Sequence, residues 1–186
     1  PRAWLRAFLD AYLRPVVHCL LAHDLAFMPH GENVLVVLEG QAPTRCIMKD
    51  LGEEVALLDA ERPLPEGLER VRAVVGHDER CLAVLTDVVD GVLRHLAAIW
   101  DHDGLLPVAD FWSETADCLE RHAADHPELA EAVAAYDLQR EEFAHSCLNR
   151  LQLRDARQMV DLADQASSLL YAGSLRNPLH RGEGAG

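Results

Sequence analysis

Asn33 and Asp50 stand at the two ends of an apolar ribbon. Between them, Val34 to Leu38 is β-branched and aliphatic, Glu39-Gly40-Gln41-Ala42-Pro43 has turn composition, and Thr44 to Met48 is apolar again. That pattern predicts two antiparallel strands joined by a tight loop, the first of them a buried strand. With the loop centred between Gln41 and Ala42, Leu35 faces Met48, Val37 faces Cys46 and Asn33 faces Asp50. Directly opposed side chains lie roughly 5 Å apart at Cβ, so an amide oxygen and a carboxylate converge at the open end. Two hard oxygen ligands with room for water and phosphate suit Mg²⁺. His30, just before them, is placed to donate to a phosphoryl or acyl oxygen. Lys49, on the face opposite Asp50, reaches that point around the strand end or serves a structural pair. An ordinary hairpin with a polar mouth is the plainer alternative. The crowding of His30, Glu32, Asn33, Lys49, Asp50, Glu53 and Glu54 at one end favours chemistry.

A second group lies near the C-terminus. Arg150, Arg154 and Arg157 recur at helical spacing with Asn149 and Gln152 among them. In an acidic chain this is the one concentrated basic and amide face. It reads either as a solvated face paired with Asp155 and Asp161, or as a cradle in which Arg150 and Arg154 offer bidentate donors to a substrate carboxylate.

These residues need a scaffold, and 186 residues suffice for one domain with a core. The composition is 49% hydrophobic, as in globular chains. A formal net charge of −14 argues against nucleic acid and anionic membrane as general partners. No apolar run approaches the ~20 residues of a membrane span. Cys19, Cys46, Cys81, Cys118 and Cys147 are dispersed without a Cys-x-x-Cys pair. Reduced thiols and a cytoplasmic setting are expected. The histidines show His-x-x-x-His spacing with no third ligand evident in sequence, so no structural zinc is expected.

Apolar residues at helical period predict a helix from Arg2 to about Leu21, kinked or split at Pro15. Glu53 to Asp59 suggests a short third strand or helical turn, and Leu68 to Val75 a short helix ended by Gly76. A long helix is expected over Asp78 to Trp100, N-capped by Asp78. Another begins at Pro107 and runs to about Ala124, and one more follows the break at His126-Pro127. The fold class is therefore α+β: a mostly helical domain with one small antiparallel sheet or hairpin. The chain opens at Pro1 already within a helical pattern, as expected of a piece of a longer protein, and residues 1–186 read as one domain.

Met28-Pro29-His30-Gly31-Glu32-Asn33 and Met48-Lys49-Asp50-Leu51-Gly52-Glu53-Glu54 resemble the C-terminal domain of the IucA/IucC family. These are the siderophore synthetases that work independently of nonribosomal peptide synthetases. Cys147 to Arg154 and Asn177-Pro178-Leu179 match the same family in the same order. The branch most similar is the one that handles hydroxamates, as in desferrioxamine and alcaligin synthesis.

The resemblance implies an ATP-dependent ligase that forms an acyl-adenylate, releases pyrophosphate, and lets an amine or hydroxyl displace AMP. It implies that His30 lies near the ATP phosphates and that Asn33 and Asp50 serve Mg²⁺ and nucleotide. Many relatives carry Glu and Gln where this chain has Met28 and Glu32. Glu32 is thus a further Mg²⁺ ligand or a mark of the branch, and Lys49 stands where other branches show Arg. The implied partners are a small-molecule carboxylate and an amine, an N-terminal domain completing the nucleotide cleft, and a second copy, since relatives commonly dimerise. Two rival classes stay open: a small-molecule phosphotransferase with a similar Mg-ATP hairpin, and a non-catalytic helical interaction module.

Overall fold

The computed structural model describes residues 1–49, 51–52, 55–146 and 171–182. Helix α1, Arg2–His23, is the axis of the core. Leu5, Leu9, Leu13, Val16, Val17 and Leu20 are all buried along it, and a fully buried side chain of this kind contributes about 1.5–3 kcal/mol. Pro15 lies inside α1 without dividing it. Asp24 ends the helix at φ 50°, its N–H bonded back to Cys19 and Leu20.

Strand β1, Leu25–Phe27, leaves the helix directly. Strands β2, Val34–Glu39, and β3, Ala42–Met48, form the expected hairpin, and β4, Val55–Leu57, returns to pair antiparallel with β1. The expected third strand therefore exists but does not extend the hairpin. Strands β5, Glu142–Ser146, and β6, Tyr171–Arg176, form another antiparallel pair. The described residues thus carry three separate two-stranded sheets in place of one. The α+β class stands.

Between Glu69 and Val71 only a 3₁₀ turn forms, and Arg72 is extended, so no helix fills Leu68 to Val75. The backbone there is tied by Arg72, which donates to the carbonyls of Asp59 and Arg62. Asp78 is not an N-cap. It belongs to a 3₁₀ turn, His77–Glu79, in which Glu79 accepts the Gly76 N–H. The long helix is composite: α2, Leu82–Val84, a π segment over Leu85–Leu93, and α3, Arg94–His102. Leu85, Val88, Val89 and Leu93 are buried in the wider winding.

Helix α4, Val108–Asp125, packs on α1, and α5, Ala130–Tyr136, follows the break at Pro127. Glu114 of α4 is buried against α1, where its carboxylate accepts from Arg6 Nε at 2.6 Å, Arg6 Nη2 at 2.9 Å and Arg2 Nη1 at 2.8 Å. These bonds, those from Arg6 first, hold the Glu114 carboxyl below the usual carboxylate range although burial opposes them. No helix among the described residues is long and apolar enough to cross a membrane.

Candidate functional site

The hairpin reaches its site in a register one residue from the expected one. Val34 pairs with Met48, Leu35 with Ile47, Val36 with Cys46 and Val37 with Arg45. The two-residue loop is Gly40-Gln41, with Gly40 at φ +65°, a placement that primed turns favour and that needs glycine. Pairing then shifts between Val37 and Leu38, where Leu38 faces Pro43 and Thr44 is the extra residue. Proline cannot donate to a ladder and is tolerated at such a bulge. Thr44 Oγ1 donates to the Val37 carbonyl at 3.4 Å.

A one-residue slip exchanges the faces of a strand. Val34, Cys46 and Met48 accordingly pack toward the core, while Leu35 and Ile47 face outward at 53% and 48% exposure. The expectation of a buried β2 fails: among the described residues Val34 and Val37 are half-buried, and Leu35, Val36 and Leu38 are exposed.

At the mouth, the Lys49 N–H donates to the Asn33 carbonyl at 3.0 Å, extending the ladder by one step. Lys49, not Asp50, is therefore the residue facing Asn33. Asp50, Arg150 and Arg154 lie outside the described residues. Glu32 and the Lys49 side chain are exposed. Asn33 is buried, and its Nδ2 donates to His30 Nε2 at 3.1 Å. An amide nitrogen only donates, so His30 Nε2 is the acceptor in this contact. The same contact leaves the Asn33 Oδ1, a hard oxygen, as the atom that suits a cation. Of the expected residues, the structure joins His30 and Asn33 directly and brings Lys49 beside them through the backbone.

Backbone bonds fix this corner. The His30 N–H donates to the Met28 carbonyl and the Asn33 N–H to the His30 carbonyl, both at 3.0 Å. Pro29 is buried, and its carbonyl accepts from Tyr12 Oη at 2.7 Å. Burial is the main cause raising the Tyr12 phenol far above its usual range, so it stays a donor. Trp4 Nε1 donates to the Gln41 carbonyl at 2.9 Å, tying the hairpin tip to α1 as Tyr12 ties its mouth. Arg70 donates to the Gly52 carbonyl at 2.7 Å just beyond β3. In sequence Tyr12 counts only as one apolar member of the α1 stripe. The signal was its hydroxyl, since a buried tyrosine needs a partner.

Two clefts lie elsewhere among the described residues. One of about 250 Å³ is lined by Leu21, Asp24, His77, Arg80 and Tyr136. Another of about 370 Å³ lies among Asp78, Arg140, Glu142, Phe143 and Ser174. Neither contains His30 or Asn33, whose chemistry and proximity carry more weight than cleft volume.

The architecture is shared with solved siderophore synthetases. Aerobactin synthetase IucC from a hypervirulent pathotype of Klebsiella pneumoniae superposes with a TM-score of 0.77 at 22% identity, over 96% of this chain and 30% of that one. A family model described as ferric iron reductase FhuF-like transporter matches residues 2–161. Putrebactin synthase of Shewanella sp. (strain MR-4) is 41% identical over 178 residues, 96% of this chain and 28% of that protein. The rhizobactin siderophore biosynthesis protein RhbF of Rhizobium meliloti (strain 1021) is 29% identical over 95% of this chain and 30% of its own length. The chain belongs to this FhuF-like family, among the siderophore synthetases that act independently of nonribosomal peptide synthetases. It spans less than a third of the length of these relatives.

Proposed function

We propose that the chain supplies part of the ATP and Mg²⁺ site of a siderophore synthetase. The whole enzyme adenylates a carboxylate of a hydroxamate substrate, succinyl- or citrate-type, and condenses it with an amine. In the first step a carboxylate oxygen attacks the α-phosphorus of ATP, the bond to the bridging oxygen breaks, and pyrophosphate leaves. In the second step the amine nitrogen attacks the acyl carbon, AMP departs with the electron pair, and the amine loses a proton to solvent or a base. The amide is the product.

The observation that carries this reading is the buried Asn33 amide bonded to His30 at 3.1 Å, on the hairpin mouth of a chain 41% identical to a putrebactin synthase. His30 is assigned to the phosphoryl oxygens, where charge builds during transfer. Mg²⁺, when bound, would neutralise phosphate charge, with Asn33 Oδ1, Asp50 and Glu32 as its ligands. Lys49 is assigned to nucleotide phosphate at the same mouth, and Arg150 and Arg154 to the substrate carboxylate.

The remaining portion of the synthetase completes the site, so the 186 residues alone turn over weakly or not at all. The test is the nucleotide product of the intact protein with ATP, Mg²⁺ and a succinylated hydroxamate-amine. AMP and pyrophosphate formed only with the carboxylate present are expected. ADP would instead place the hairpin among phosphotransferases. No nucleotide turnover, with Mg-ATP affinity unchanged by Asn33→Ala, would make the chain an interaction module.

A further inference from the structure

His122 and His126 lie one turn apart at the C-terminal end of α4, and His18 faces them from α1. The ring centroids are 4.6 Å apart for His122 and His126, 4.7 Å for His18 and His126, and 5.4 Å for His18 and His122. One nitrogen from each ring lies within 4.8 Å of the others. This is the His-x-x-x-His spacing whose third ligand the sequence left unseen. The fold supplies it from a residue more than a hundred positions away.

Three observations set this cluster apart from a packed core. His122 is 2% exposed, and neither of its ring nitrogens has a hydrogen-bond partner. The His18 Nδ1 is also buried and unpartnered. Unsatisfied buried donors and acceptors are costly and rare, and two neighbouring rings carrying them call for a ligand. His126 differs: its Nδ1 lies 2.9 Å from Glu128 Oε1, an arrangement that orients the ring and leaves Nε2 for coordination.

We propose that His18, His122 and His126 form a binding site for a divalent transition ion of the zinc class, tying the end of α4 to α1. Three imidazoles suit zinc, cobalt or nickel and do not suit magnesium or calcium, which take oxygen ligands. Zinc bonds imidazole nitrogen at about 2.0–2.1 Å. Tetrahedral ligand nitrogens then stand about 3.3 Å apart, within reach of small ring rotations from the observed spacing. The last carbonyls of α4 bring the negative end of its dipole to the ion. Half-buried His18 and His126 give the ion access from solvent, and a fourth position remains for water or a small ligand.

The probes are Zn²⁺ and Co²⁺ added to intact, tag-free protein stripped with a chelator. One zinc per chain should bind with a dissociation constant below about 10 μM, raise the melting temperature, and resist excess Mg²⁺. Cobalt should give the visible absorption of a four-coordinate site. His18→Asn and His126→Gln should each weaken zinc binding by about 100-fold, and Glu128→Gln by about tenfold through loss of ring orientation. His95→Gln, at an exposed position outside the cluster, should change nothing. His126 is partly exposed, so its variant keeps the fold even if His122→Ala does not. Absence of stoichiometric zinc, or zinc binding unaffected by both His18→Asn and His126→Gln, would overturn the proposal. The readout needs no nucleotide, so either result leaves the reading of the hairpin mouth where it stands.

Discussion

Replacing Glu114 by Gln tests the junction on which the hairpin's supporting helix rests. The carboxylate is 2% exposed and accepts three charge-assisted hydrogen bonds of 2.6 to 2.9 Å from Arg2 and Arg6. Such bonds are each worth about 1.5–3 kcal/mol when well shielded. Here both guanidinium partners are about half exposed, so water screens the charge and rehydrates them once the carboxylate is gone. Gln keeps the shape and one acceptor. The net loss is then about 2 kcal/mol, and at 2–4 °C per kcal/mol for a domain of this size the melting temperature should fall by about 4–8 °C.

The pH dependence has a fixed sign. The folded pKa of Glu114 is lowered, so its contribution is complete above the ordinary glutamate pKa of about 4.3 and disappears as pH falls through the folded value. Thermal melts of the parent and Glu114→Gln between pH 7 and pH 3 should therefore converge at the acidic end. Equal melting temperatures at pH 7, or a gap that does not narrow on acidification, would refute the reasoning.

Tyr12→Phe should cost about 1 kcal/mol, the worth of its bond to the Pro29 carbonyl. On the proposed reading of the hairpin mouth, it should also weaken Mg-ATP binding by the intact protein severalfold in calorimetry, because that bond fixes the backbone before His30. The register is tested by a pair of substitutions. Leu35→Ser should change stability by under about 0.5 kcal/mol, whereas Met48→Ala should cost about 1–2 kcal/mol. Were the two residues cross-strand partners, denaturant melts would show them responding alike. Cys118 is buried and its thiol is pushed up to about 12, chiefly by desolvation, so iodoacetamide at pH 8 should leave it unlabelled in the folded protein. Mass spectrometry of the digested protein reads this directly.

Periodicity made α1 and α4 legible, because their buried faces repeat at the helical interval and proline or a change of pattern marks their ends. The hairpin's existence was legible for the same reason at period two. Its register was not, since a bulge at Thr44 and a loop at Gly40-Gln41 move the pairing by one residue without altering composition. The π segment of Leu85–Leu93 escaped notice because its apolar residues still recur at a near-helical interval, although Thr86, Asp87, Gly91 and three valines are weak helix formers. Arg72 satisfies backbone carbonyls of Asp59 and Arg62 where a helix had been expected nearby, a long-range role that local propensity does not encode. At the candidate site, His30 and Asn33 stood out because their types are unusual beside an apolar ribbon, and the structure joins them. The contacts of Tyr12 with Pro29 and of His18 with His122 and His126 were not legible, since each partner is distant in sequence.

The hairpin tip is fastened to α1 at Trp4, and the loop that leads into the hairpin is fastened to the same helix at Tyr12. Helix and ribbon therefore move as a single mechanical part. Eight residues separate the two fastenings, a lever of about 12 Å at 1.5 Å per residue. A tilt of about 5° about the Trp4 end would carry the Tyr12 end by about 1 Å, a displacement on the scale at which reacting groups lose alignment. The second fastening suppresses that tilt, so strain applied at the exposed tip of the ribbon is borne by α1 before it reaches His30.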